Sequence, residues 1–358
     1  MTPRERIRRA MHKKKTDRIP WAAYGCLLPR GYVERKVREK GCGLYMVMSP
    51  CSYQMERQRV TIEEKRTWDQ HNRAQIIMRT YHTPIGSVSQ KAQLRMGLSS
   101  NKQEWITEHM IKDVSDYPIV KFIIENTRYY KDYDSFLEAQ EDIGEDGIVA
   151  AVAETPMHMM IWYLMGVEKF SIDLYEHPQE FNKLANLLEE KYDEMYKIIA
   201  DSPTELVIGG ENLSGDIISP PLFEKYSAPF HNKQARLMHK KGKIYAVHCD
   251  GRLNCLKDLI KKTDIDVIDS FTLPEGGGDL SLEEAKKLWK NKVIWANFPA
   301  CLCHENEEKI RKFLIQTLRK VTPGDGFMLE YSEDLPVNLW KKTLTVIAET
   351  MEKYGNYF

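Results

Sequence analysis

Hydrophobic residues along this chain gather into short continuous runs, separated by longer stretches in which they recur every three or four positions. The runs lie at about 18–24, 44–48, 148–153, 205–208, 243–247, 266–270, 293–296 and 326–329. Short apolar runs rich in β-formers and bounded by turn residues read as buried strands. The stretches between them read as amphipathic helices, the longest over about 179–200. Helix starts are marked as well. Thr2-Pro3-Arg4-Glu5 supplies a capping hydroxyl, a proline at the first helical position and an acid three residues after the cap, and Ser281-Leu282-Glu283-Glu284 is a capping box.

Strands that alternate with helices imply a parallel sheet. Eight of them favour a closed (β/α)8 TIM barrel over an open doubly wound sheet. No strand is followed by Gly-x-Gly-x-x-Gly, since Gly276-Gly277-Gly278 lies between a strand and the capping box without that spacing. A dinucleotide-binding fold is therefore poorly supported. One region breaks the rhythm. From 53 to 112 the pattern turns to alternation, with strands expected at 57–61, 75–81, 87–93 and 104–111 and a turn at Thr83-Pro84-Ile85-Gly86. The expected organisation is a single barrel domain over 1–358, with 53–112 as a β-hairpin insertion covering one end.

Composition narrows the functional classes. Lys and Arg total 52 and so do Asp and Glu, which leaves no electrostatic footprint for nucleic acid or a membrane surface. No apolar run approaches the ~18 residues of a membrane helix. The basic start MTPRERIRRAMHKKK lacks the apolar core of a signal peptide. Seven cysteines, an odd number without framework spacing, suit a reducing, cytoplasmic setting. Some of the 18 Tyr, 7 Trp and 16 Met could line an apolar pocket for a flat organic ligand.

In a barrel of this kind the C-terminal tips of the strands form the chemical face. Here they carry Tyr24, Glu154, Glu211-Asn212, His248-Cys249-Asp250, Ser270, Asn297 and Glu330, with Glu333 just beyond. Alternation splits the tripeptide: His248 and Asp250 point inward, and Cys249 points to the helix layer as packing. Carboxylates converging on one rim must be neutralised by protons, a cation or a substrate. A histidine among carboxylates suits a borderline ion such as zinc, with His248, Asp250, Glu211 and Glu330 as the candidate ligands. Cys301-Leu302-Cys303-His304 has no second pair nearby and is a weak metal motif. The Met157–Met165 segment has helical spacing and is read as core.

Several motifs in one order carry a family resemblance. They are Thr2-Pro3-Arg4-Glu5-Arg6 with Asp17-Arg18-Ile19-Pro20, Glu211-Asn212 with Ile218-Ser219-Pro220 and Phe223-Glu224-Lys225-Tyr226, and Gly242-Lys243 leading to His248-Cys249-Asp250-Gly251. Gly278-Asp279-Leu280, Val293 to Pro299 (VIWANFP) and Ser332-Glu333-Asp334-Leu335-Pro336 continue it. Together they resemble the uroporphyrinogen decarboxylase superfamily, whose fold is also a (β/α)8 barrel. The arginine-rich segment that holds porphyrinogen propionates is replaced by Ala23-Tyr24-Gly25-Cys26-Leu27-Leu28-Pro29-Arg30. The chain is more similar to the methyltransferase branch, whose members move a methyl group between a small molecule and the cobalt of a corrinoid protein.

The thiol-methylating members of that branch hold zinc through His-x-Cys and a later Cys. At the matching positions stand His248, Asp250 and either Glu330 or Glu333. The resemblance therefore implies a site for activating an oxygen leaving group rather than a thiol. The expected function is transfer of a methyl group from a methyl ether, a methoxylated aromatic, to a partner corrinoid protein. His248, Glu211 and Asp250 are the expected catalytic set, with Tyr24, Glu154, Asn212, Asn297 and Glu330 placing the substrate. Zinc and a homodimer are open expectations. The alternatives are a decarboxylase of another carboxylated ring, which needs cations such as Arg30 and Arg252, and a non-catalytic barrel-fold binding protein.

Overall fold

The structure is a computed structural model describing residues 1–95, 104–321, 324–333 and 336–356. Eight parallel strands close into a barrel surrounded by helices. They are β1 (Trp21–Tyr24), β2 (Cys42–Met48), β3 (Gly147–Glu154), β4 (Leu206–Gly210), β5 (Ile244–His248), β6 (Val267–Thr272), β7 (Val293–Asn297) and β8 (Phe327–Tyr331). Each pairs with the next in the chain, and β1 pairs with β8 to close the ring. The order follows from the sequence rhythm, because each helix returns the chain to the same end of the barrel. Both expected caps form: the Thr2 hydroxyl accepts from the Glu5 N–H at 3.1 Å, and that of Ser281 from the Glu284 N–H at 3.2 Å.

Alternation along each strand divides the apolar residues into two layers. Ile244 and Ala246 of β5 pack inside the barrel, while Tyr245, Val247 and the fully buried Cys249 pack between barrel and helices. Near the C-terminal end the interior is closed by aromatic rings. Tyr45 stands edge-on to Trp295 at 5.3 Å and to Tyr24 at 5.0 Å, forming a floor beneath the mouth. Alternation fails once, in β6. Ile268 and Phe271 both face the helix layer, and the register with β7 slips between them. Ser270 takes up the slack at φ +59°, a left-handed conformation uncommon for a side chain larger than Gly. Such a bulge re-aims side chains, here at the barrel rim.

The interrupted region contains a four-stranded antiparallel sheet of Thr61–Asp69, Ala74–Thr83, Gly86–Arg95 and Trp105–Glu108. It is tied to the barrel by the Gln90 amide, which donates to the main-chain oxygen of Tyr163 at 3.0 Å. The strand expected at 57–61 is instead a turn closed by Val60 N–H to Glu56 O at 2.8 Å, and the first strand of the sheet starts at Thr61. That strand is exposed from Thr61 to Trp68, so it has no apolar face to read. A strand not anticipated, Thr127–Lys131, pairs with Cys51–Met55. Residues 96–103 of this region, and Asp334 and Leu335 of the later motif, lie outside the described residues.

Met157, Met160, Ile161, Leu164 and Met165 are buried, and Met159–Met165 winds as a π-type turn wider than an α-helix. Segments of this kind often mark functional sites. Among the described residues no helix is long and apolar enough to cross a membrane.

Candidate active site

β5 delivers His248 to the mouth, and β6 delivers Asp269 directly beside it, the two being register partners. Asp269 is fully buried, and its Oδ2 accepts from His248 Nδ1 at 2.8 Å. Its other oxygen accepts the Tyr45 hydroxyl at 3.1 Å, and the Tyr24 hydroxyl approaches Oδ2 at 3.5 Å. On the open side of the imidazole, Nε2 faces Asp250 Oδ2 at 3.6 Å. His248 is thus clamped between two carboxylates. Burial works against its charge, but the hydrogen bonds and charges of Asp250 and Asp269 outweigh burial and hold its pKa well above the ordinary value. Asp250 is correspondingly lowered: burial opposes its charge, and His248 more than compensates.

Glu330 of β8, two strands round the barrel from β6, reaches the same space. It is buried, and its carboxyl oxygens lack ordinary hydrogen-bond partners. Burial and the nearby Asp269 charge push its pKa well above the carboxylate range, against the pull of His248 and weak support from Ser270. Glu333 sits exposed at the rim, where it accepts the Asn297 amide at 2.9 Å. Asn297 also accepts the Ser332 N–H at 3.3 Å, so it braces the loop after β8.

Glu211 does not join this group. One oxygen accepts the Ser227 hydroxyl at 2.6 Å, the other accepts the Thr155 hydroxyl, and His231 Nε2 lies 3.6 Å away. These partners belong to the layer behind the rim. Burial raises the Glu211 carboxyl to about 7, against the two hydroxyl hydrogen bonds. His231, fully buried, is pushed down to about 3. Asn212, held at φ +49°, lines a cleft of about 340 Å³ together with Trp162, Asp250 and Gly276-Gly277.

The expected zinc set of His248, Asp250, Glu211 and Glu330 is therefore not assembled. His248 and Asp250 supply two adjacent donors, but among the described residues no three His, Cys, Asp or Glu side chains are grouped to hold a metal ion. Glu211 is turned to its hydroxyl partners. The donors present do not fit the ion, and no step is derived through it. The Cys301–His304 turn is no metal centre either: the Cys301 thiol donates to the Glu275 carbonyl at 3.1 Å.

Two residues at the mouth escaped the sequence reading. Asp269 was passed over because regular alternation makes Ser270 the tip of β6, and the bulge undoes that count. Its signal was an acid inside the apolar run Val267-Ile268-Asp269. His158 was read as part of the Met-rich core segment. It is buried one helical turn after Glu154, with Nδ1 at 3.2 Å from the Glu211 main-chain oxygen and Nε2 at 3.5 Å from Glu154 Oε2. Burial, helped by the His248 charge, lowers it to about 4, and burial with the Glu211 charge raises Glu154 to about 7.

The pattern of the family described as Uroporphyrinogen decarboxylase (URO-D) matches residues 93–354. No curated protein matches the chain. Among solved structures, a methyltransferase from Methanosarcina mazei aligns with 99% of this chain and 99% of its own at a TM-score of 0.60 and 12% identity. At that identity the likeness concerns the fold. The tandem GH20 catalytic modules of the pneumococcal exo-β-D-N-acetylglucosaminidase StrH align with 97% of this chain and 88% of theirs, at a TM-score of 0.40 and 14% identity.

Proposed function

The chain belongs to the uroporphyrinogen decarboxylase family, and from that premise we propose that it is a methyltransferase, taking a methyl group from a methoxylated aromatic and passing it to a corrinoid protein in the cytoplasm. The observation that carries this reading is the clamp on His248. An imidazole with a carboxylate at each nitrogen is kept protonated and aimed, and its Nε2 side opens to the mouth. A methyl ether bound there has its oxygen within reach of that N–H. When the C–O bond breaks, the electron pair stays on oxygen and takes the His248 proton, so a neutral phenol leaves. Protonation matters because an unassisted alkoxide-type group leaves poorly, and a positioned acid is worth roughly 10²–10⁴ in rate.

Asp269 orients the ring through Nδ1, in the manner of a carboxylate–histidine pair, and the Tyr45 and Tyr24 hydroxyls fix Asp269. Asp250 stands where it can return a proton from water to Nε2. Glu330, whose carboxyl burial holds above the ordinary range, adds a group that can hydrogen-bond the substrate. The corrinoid, on its carrier, supplies the reduced cobalt that accepts the methyl group. The open cleft beside Asp250 leaves room for a carrier to approach the mouth.

The mouth is poor in cations for a decarboxylase of carboxylated rings. Arg252 faces Asp216 and Asp279 at 3.8 and 3.6 Å, Arg30 pairs with Glu34 at 3.1 Å, and Asp250 and Asp269 flank His248. A polycarboxylate would meet like charge. The test is methyl transfer from a panel of methoxyarenes to a reduced corrinoid protein, followed by the absorbance of the methylated corrinoid. Transfer that is lost in His248→Gln supports the reading. No transfer from any methoxyarene, or a full rate in the variant, overturns it.

A further inference from the structure

The proposed transfer leaves a second pair at the mouth unused. Glu154 ends β3, and His158 follows one turn into the next helix, with Oε2 and Nε2 3.5 Å apart. The tautomer of His158 follows from its other nitrogen. Nδ1 faces the Glu211 main-chain oxygen at 3.2 Å, and a carbonyl only accepts. Nδ1 therefore carries the hydrogen, and Nε2 presents a lone pair to a carboxylate oxygen. Two acceptors face each other. The Glu154 oxygen is buried and has no hydrogen-bond partner. A proton on Glu154 would not satisfy the pair either, because 3.5 Å is too long for an ordinary O–H···N bond. The geometry lacks a donor.

The surroundings say what kind of donor. Tyr163 and Trp162 lie 5.6 and 6.2 Å from the His158 ring. Tyr53, Tyr129 and Tyr192 follow in edge contacts of 6.5 Å each, and the Glu154 charge acts on Tyr129, Tyr163 and Tyr192 alike. Tyr192 is 2% exposed, and its hydroxyl is a second buried polar group without a partner. A carboxylate among aromatic faces is the chemistry that binds organic cations. The wider mouth agrees, with Asp250 and Asp269 as anions and His248 already committed to both. The cost of keeping Glu154 ionised, which burial and Glu211 raise, is also relieved by a cation.

We propose that the Glu154–His158 pair and the aromatic rings beside it form a subsite for an organic ammonium group, so that the methyl donor carries a protonated amine as well as its ether methyl. The second half of the statement rests on the methyl-ether reading; the ammonium subsite stands on its own geometry. The test is calorimetric binding to the full chain, without corrinoid protein, of three probes of one shape: 2-(4-methoxyphenyl)ethylamine, 2-(4-methoxyphenyl)ethanol and 4-methoxyphenylacetate. The amine is expected to bind at least tenfold more tightly than the alcohol, with the carboxylate weakest. Glu154→Gln should weaken the amine at least tenfold and leave the alcohol unchanged. Tyr163→Leu, at a partly exposed position that spares the fold, should weaken the amine several-fold. Equal binding of amine and alcohol, or a preference that survives Glu154→Gln in a folded variant, overturns the subsite. A preferred amine together with no transfer from any methoxyarene of the panel supports the subsite and overturns the methyl-ether reading; binding by none of the three overturns the subsite.

Discussion

His248 and His231 each stand beside a buried carboxyl group, yet the protein shifts their pKa values in opposite directions. His248 has two carboxylates, and the nearer, Asp269, is itself fixed by tyrosine hydroxyls. Burial is overcome, and the ring's pKa is held well above its ordinary value. His231 has one neighbour, Glu211, which burial has already pushed up to about 7, and the ring stays neutral. Proximity to an acid is therefore a poor guide to charge. What decides it is whether the acid can pay the cost of its own desolvation, and Asp269 shares that cost among three donors. The first pair opens on the mouth and can give a proton. The second is sealed between barrel and helices and can only hold the layers together.

Replacing the charged member breaks the comparison most strongly. His248→Gln removes the proton donor but keeps an amide of similar reach, and methyl transfer should fall about 10³-fold. His231→Gln, behind the rim, should leave the rate within a few-fold and lower thermal stability instead. Rates on a saturating methoxyarene, beside melting curves, separate the two. Equal rate losses would remove the distinction drawn between the pairs.

The neutral pair can be sharpened by pH. The native Glu211 carboxyl titrates at about 7 against an ordinary value of 4.5, so the folded chain holds this proton more tightly than the unfolded chain. The contribution to stability is complete below about pH 4.5 and is lost as pH rises through 7. Its size is on the order of 3 kcal/mol. Urea unfolding at pH 5 and pH 8 should show wild-type stability falling by about that much more than in Glu211→Gln, which has no proton to lose. Parallel pH dependences in the two proteins would mean that Glu211 is ionised in the folded state.

The sequence exposed the barrel and the two inward tips of β5, because both depend on periodicity and on where parallel strands end. It exposed less of the site. His248 and Asp250 could be placed by counting along a regular strand, whereas Asp269 lies on the one strand whose register slips, so counting put Ser270 at the tip. Glu211 was taken as a rim acid because it follows β4, but the chain turns after Gly210 and its carboxyl reaches Ser227 and Thr155. Those hydroxyls come from distant segments, and no local pattern in GGENLSG announces them. The strand Thr61–Asp69 was invisible for a different reason: it is exposed along nearly its whole length and has no buried face to alternate.

The two mildest changes act on the charged pair from behind. Asp269→Asn preserves shape, but its amide can satisfy His248 Nδ1 only through the oxygen, and the ring loses the charge that keeps it an imidazolium. Transfer should fall about 10²-fold, with the alkaline limb of the rate profile moving to lower pH as His248 loses its proton more readily. Tyr45→Phe removes one of the hydroxyls that stabilise Asp269 and leaves the ring packed on Trp295. One hydrogen bond to a charged group is worth about 1.5–3 kcal/mol. Most of that is lost from the fold, because Asp269 keeps His248 and the Tyr24 contact. The rate should therefore drop only two- to five-fold while the melting temperature falls by a few degrees. A rate loss in Tyr45→Phe as large as that of Asp269→Asn would show that the tyrosine, rather than the carboxylate it supports, sets the position of His248.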